Sequence, residues 1–79
     1  MKPLWIYDDV PKIRDSKEFQ EVRFKNHNYT KGEKVAVYID DIYSGVAVIK
    51  NIERCTHNED CDLFTCKWIQ EPEQMTINL

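Results

Sequence analysis

Two runs of alternating side chains, Val35-Ala36-Val37-Tyr38-Ile39 and Val46-Ala47-Val48-Ile49-Lys50, constrain the fold more than any other stretch of the chain. A pleated strand turns successive side chains to opposite faces, so a period of two predicts β-strands here. Both faces are apolar at the centres of the runs. That pattern predicts two interior strands of a closed or doubly covered sheet. Asp40-Asp41-Ile42-Tyr43-Ser44-Gly45 between them is expected to form a hairpin loop closed by a glycine, and Thr30-Lys31-Gly32-Glu33 to be the turn that feeds the first strand.

Leu63 to Ile69 predicts a third strand, with Phe64, Cys66 and Trp68 on one face and Leu63, Thr65, Lys67 and Ile69 on the other. Thr56 to Asp60 before it is a polar loop, and Glu71-Pro72-Glu73 after it is a break. Met75 to Leu79 alternates as a short terminal strand would, and Leu4 to Tyr7 is expected to be an opening strand paired with it. Asp15 or Ser16 is placed to cap a helical turn over residues 15 to 20, with Phe19 and Val22 on one face, running into an extended Val22-Arg23-Phe24-Lys25. Apolar residues make up 42% of the 79, enough for one core without metal or disulfide help. The expectation is a single mainly β domain over residues 1–79. It is a small five-stranded β-barrel, SH3-like or PUA-like, with one short N-terminal helix.

Phe19-Gln20-Glu21-Val22-Arg23, then Lys31-Gly32-Glu33-Lys34-Val35-Ala36-Val37-Tyr38, then Gly45-Val46-Ala47-Val48-Ile49 resembles the ASCH group of PUA-like barrels. In that group a Glu-x-Arg segment precedes a glycine-acid turn, a strand and a glycine-led return strand. The resemblance covers roughly residues 12 to 54 and implies RNA binding. Some members hydrolyse modified nucleosides with a lysine, a threonine and a glutamate. Glu21 and Arg23 match positions of interest in the group, but its Gly-x-Lys-Thr run has no counterpart in Arg14-Asp15-Ser16-Lys17-Glu18-Phe19, so no catalytic role is carried over. Small SH3-like barrels share the same order of turns and strands.

Uninterrupted apolar runs no longer than Leu4-Trp5-Ile6-Tyr7 or Val46-Ala47-Val48-Ile49 leave no candidate for a membrane span or a signal-peptide core. A cytoplasmic setting follows as the expectation. The net charge of −3 is unevenly spread. Residues 1–34 hold eight basic and six acidic side chains, a balance of +2, and residues 35–79 hold three and eight, a balance of −5. Such asymmetry points to faces of different chemistry.

Cys55, His57, Cys61 and Cys66 fall within twelve residues, and three thiolates with one imidazole would complete a tetrahedral zinc site. Their Cys-x-His-x3-Cys-x4-Cys spacing lacks the tight knuckle of structural zinc sites. Core and loop cysteines, and no cofactor, are therefore expected. The odd cysteine count also argues against a disulfide framework. Nucleophilic catalysis lacks a glycine-framed serine, and Cys55 with His57 lacks an orienting group. Glu59, Asp60 and Asp62 lack the spacing of a calcium loop, and Gly32 and Gly45, the two glycines, are both taken by turns. An enzyme is not expected.

Two binding readings remain. Arg23, Lys25, His27, Tyr29, Lys31 and Lys34 interleave cations with an aromatic ring, as RNA or single-stranded nucleic acid would require, but the net negative charge opposes phosphate. Asp40, Asp41, Ile42 and Tyr43 place an apolar pair between aspartates at a hairpin tip, where tyrosine is a common interface anchor and acid steers a basic partner. The expected function is a non-enzymatic protein-interaction module, an inhibitor or adaptor of the phage or mobile-element type. A nucleic-acid module is the alternative.

Overall fold

The computed structural model describes residues 1–7 and 10–70, without the side chains of residues 10–12 and 70. The expected break at 71–73 and terminal strand at 75–79 lie outside the described residues. The fold is mainly β: a five-stranded curled sheet that forms a half-barrel. In chain order the elements are β1 (Lys2–Ile6), α1 (Val10–Asp15), β2 (Glu18–Phe24), β3 (Lys34–Ile39), β4 (Ile42–Arg54) and β5 (Cys61–Gln70). The order across the sheet is β1-β3-β4-β5-β2.

β3 and β4 are interior strands, as their two-sided apolar pattern predicts. β5 likewise presents Phe64, Cys66 and Trp68 to the core. Two expectations need correction. The helical turn lies at Val10–Asp15 rather than at 15–20. Pro11, in the first turn, suits a helix start because its missing N–H has no intrahelical acceptor there. From Glu18 the chain is already strand, since pairing with β5 lets Phe19 bury against Cys66 and Trp68. The hairpin turn is only Asp40-Asp41, so Ile42 to Gly45 belong to β4. β1 pairs in parallel with β3, Leu4 opposite Val37 and Ile6 opposite Ile39, and its expected pairing with the 75–79 strand lies outside the described residues.

Leu4, Ile6, Val35, Val37, Ile39, Ile49, Phe64 and Cys66 are at most 1% exposed and fill the concave side. α1 closes one end. The indole Nε1 of Trp68 donates to the Ile13 carbonyl at 3.2 Å, and the Phe19 and Trp68 rings lie 5.1 Å apart. At the other end the rings of His27 and Tyr29 meet Phe64 edge-on, at 4.7 and 5.5 Å. The Tyr29 N–H donates to His27 Nδ1 at 3.1 Å, so the ring proton sits on Nε2, which donates to Asp62 at 2.9 Å. Tyr29 also donates its hydroxyl to the Pro3 carbonyl of β1.

Among the described residues β1 and β2 are the two edges of the sheet, and no main-chain ladder joins them. A side chain spans the gap. The Arg23 guanidinium donates through Nη2 to the Trp5 carbonyl on β1 and through Nη1 to the Val22 carbonyl and to Glu21 Oε1 at 3.1 Å. Glu21 and Arg23 lie on the concave face with Phe19, their side chains 12% and 24% exposed. The Glu-x-Arg spacing thus puts both charges on one side of β2 and aims them at the seam.

Glu33 fastens the turn that enters β3. Gly32 takes φ +88°, a conformation suited to glycine. The Thr30 N–H donates to Glu33 Oε1 at 3.0 Å, and Lys2 pairs with the same carboxylate at 3.2 Å. The Thr30 hydrogen bond first, then Lys2, holds the Glu33 carboxyl below its ordinary value of 4.5. A carboxyl depressed by folding stabilises the native state above the unfolded value, and that stabilisation is lost as pH falls through the folded value. Glu33→Gln is therefore expected to flatten the fall in stability below pH about 4.5, read by urea denaturation at a series of pH values.

Arg23→Met leaves Glu21 largely buried without its guanidinium and releases the Trp5 carbonyl. A loss of about 1–3 kcal/mol is expected by chemical denaturation. The Lys50–Glu18 pair, at 2.6 Å but with both side chains more than 40% exposed, provides the contrast, and Lys50→Met should cost clearly less than Arg23→Met because solvent screens the pair. Equal losses from the two substitutions would show that the seam does not depend on Arg23.

Candidate interaction surface

The convex face of β1, β3 and β4 carries an aromatic ladder. Leu4 and Ile6 point inward, so Trp5 and then Tyr7 point outward. Val37 and Ile39 point inward, so Tyr38 points outward. Parallel pairing sets Trp5 opposite Tyr38, and their rings stack at 4.4 Å with 27° between planes. Tyr38 in turn meets Tyr43, its register partner on β4, edge-on at 5.6 Å.

A bulge puts Tyr43 there. The register runs Val37 opposite Gly45 but Tyr38 opposite Tyr43, which leaves Ser44 as an extra residue on β4. An extra residue reverses the alternation, so Tyr43 turns to the convex side instead of sharing the inward face with Gly45. Ser44 is 2% exposed. Its hydroxyl donates to the Ile42 carbonyl at 2.9 Å and accepts from Arg14 Nη2 at 3.3 Å, so α1 braces the bulge.

Tyr7 is 64% exposed, Trp5 42% and Tyr43 40%, so the ladder presents an apolar surface to solvent, while Ile42, opposite inward-facing Ile39, is 60% exposed at the hairpin end. At its tip Asp40 and Asp41 both have left-handed backbone, φ 51° and 68°. The Asp40 N–H donates to the Ile6 carbonyl at 2.9 Å, and the Tyr7 hydroxyl donates to Asp41 Oδ1 at 2.8 Å. That hydrogen bond is the main reason the Tyr7 phenol is raised above 10.0. Of the protein-binding residues expected from sequence, the structure brings all four to this end of the sheet. Trp5, Tyr7 and Tyr38 were missed. Their outward direction is readable from strand alternation, but the neighbour relation of β1 and β3 is not.

The nucleic-acid candidates are divided. Arg23 clamps the seam, His27 is paired with Asp62, and Tyr29 packs on Phe64 with Lys2 Nζ 5.3 Å from its ring centre. Lys25, Lys31 and Lys34 are exposed. The aromatic ring that would stack on a base is thus part of the fold.

The four zinc candidates are also separated. Cys66 is 0% exposed on the concave side, whereas Cys55, His57 and Cys61 line a groove of about 410 Å³ on the convex side with Val22 and Leu63. Among the described residues no group of three or more His, Cys, Asp or Glu is placed to hold a metal ion. Nor is any helix among them long and apolar enough to cross a membrane. No protein-family model, curated protein or solved structure matches the chain, so the ASCH resemblance stands on residues 12 to 54 alone.

Burial pushes the Cys66 thiol up to about 12. A thiol raised by folding stays protonated and unreactive in the native state. Iodoacetamide at pH 9 is expected to leave Cys66 unmodified in the folded protein while half-buried Cys55 reacts, as mapped by peptide mass. Labelling of Cys66 at the rate of Cys55 would contradict its place in the core.

Proposed function

We propose that this protein is a non-enzymatic interaction module that binds another protein through the aromatic end of its sheet. The observation that carries this reading is the continuous Trp5–Tyr38–Tyr43 ladder, extended by exposed Tyr7, with Ile42 exposed at the same end of the sheet. Rigid aromatic side chains bury a large area with little loss of conformational freedom, which makes them frequent interface anchors. Rings already stacked on one another are ordered before any partner arrives.

The aspartate pair adds a second argument. A two-residue hairpin turn with both φ values positive is met at least cost by Asn-Gly, because a side chain in left-handed backbone is strained. This chain has Asp40-Asp41 instead. Strain retained at an exposed position argues for a role beyond folding, and two carboxylates there favour a basic partner and repel phosphate. An inhibitor or adaptor, of the kind encoded by phage and mobile elements, fits the small size and acidic balance. Three free thiols suit the cytoplasm.

Two variants test the reading. The tagged protein, used to recover partners from a lysate with and without nuclease, should retain a protein partner after nuclease. Once purified, that partner should bind Tyr43→Ala more weakly by about 2 kcal/mol, roughly thirtyfold in Kd. Asp40→Asn with Asp41→Gly should stabilise the isolated protein by about 0.5–1 kcal/mol and slow association with the partner, most at low salt. If recovery is lost with nuclease, or with Lys25→Ala plus Lys31→Ala while Tyr43→Ala binds normally, the nucleic-acid alternative replaces this one.

A further inference from the structure

The strands β4 and β5 run antiparallel with Glu53 opposite Leu63 and Arg54 opposite Asp62, and continuing that register one step past the end of β4 sets Cys55 opposite Cys61. The Cys55 N–H donates to the Cys61 carbonyl at 3.3 Å, which keeps the two residues in register just beyond the end of β4. Directly opposed residues in such a ladder share one face, with Cα atoms about 5.5 Å apart when hydrogen-bonded. That separation lies within the range a disulfide spans. Both thiols line the convex groove beside Leu63 and Val22.

Cys66 is excluded from this pair by the alternation. It lies opposite Ile49 and Phe19 on the concave side, 0% exposed. The odd cysteine count thus resolves into one opposed pair and one core residue. The return hydrogen bond is missing, because the Cys61 N–H donates to the Asn58 carbonyl at 3.4 Å instead. With one bond holding them, the strand ends have freedom for the small approach of Cβ atoms that an S–S bond needs, and residues 56–60 between them are exposed.

We propose that Cys55 and Cys61 are a reversible disulfide site, formed by exchange with a small-molecule disulfide and closing the loop at the mouth of the convex groove. Cys55, the more exposed of the two, attacks one sulfur of oxidised glutathione as its thiolate, releasing one glutathione. The Cys61 sulfur then attacks the Cys55 sulfur of the mixed disulfide and releases the second. The protein loses two electrons and two protons, and oxidised glutathione becomes two molecules of reduced glutathione. A disulfide across a hydrogen-bonded strand pair is held away from its easiest geometry, which makes it readily reducible.

The test treats the purified full chain with mixtures of oxidised and reduced glutathione, then alkylates it in denaturant without reductant. The folded protein should fall from three alkylated thiols to one, lose the mass of two hydrogens, and yield a peptide linking Cys55 to Cys61. Reductant should restore three. Cys55→Ser should abolish the change, and Cys61→Ser should trap the glutathione adduct on Cys55. If Cys61→Ser does not fold, Cys55→Ser alone carries the control. Oxidation of the unfolded chain should scramble the three thiols, so selectivity for the 55–61 link is a property of the fold. Three thiols persisting at every ratio, an unresolved glutathione adduct on the wild type, or a link to Cys66 or to a second chain would each overturn the proposal.

Discussion

The guanidinium of Arg23 holds together what the backbone leaves apart. A sheet that curls without closing exposes main-chain groups along both edges, and such edges invite pairing with other chains. Here the β1 edge is blunted three ways. Pro3 has no N–H to offer, its carbonyl accepts from Tyr29, and the Trp5 carbonyl accepts from Arg23. Glu21 keeps the arginine in place, so the charge on the concave side is compensated where it is least exposed to water. The Glu-x-Arg spacing that resembles the ASCH group therefore has a structural explanation in this chain, independent of any ligand.

With the seam tied, the two faces of the sheet take different work. The concave face is filled with apolar side chains and ends in the His27–Asp62 and Tyr29–Phe64 contacts. The convex face is left to surface chemistry. Its β1-β3-β4 side carries the stacked aromatic rings and the aspartate turn, and its β2-β5-β4 side carries the groove with the opposed cysteines. Both features sit near a strand end, where a turn or loop supplies residues a strand cannot.

Much of the fold was readable from alternation. The interior strands β3 and β4, the inward set Phe64, Cys66 and Trp68 of β5, and the turn at Gly32 follow from periods of two and from glycine's freedom. Alternation failed where a local signal competed with a distant contact. Asp15-Ser16-Lys17-Glu18 carries a capping pattern, yet Phe19 buries more area as a strand residue against β5, and packing overrides propensity. The bulge at Ser44 leaves no mark in the sequence, because an Asp-Asp-Ile-Tyr-Ser-Gly stretch fits a glycine-closed loop as well as a short turn followed by a bulged strand. That one extra residue decides which face Tyr43 occupies.

Spacing along the chain determined which side chains share a face within each strand, since that depends only on the backbone's own pleat. It therefore determined that Trp5 faces away from Leu4 and Ile6, that Tyr38 faces away from Val37 and Ile39, that Glu21 and Arg23 lie together, and that Cys66 shares a face with Phe64 and Trp68. Which strands become neighbours was decided by the tertiary structure, because pairing between distant segments is chosen by the burial of the whole core. The stacking of Trp5 on Tyr38, the reach of Arg23 to β1 and the opposition of Cys55 to Cys61 all belong to that second level.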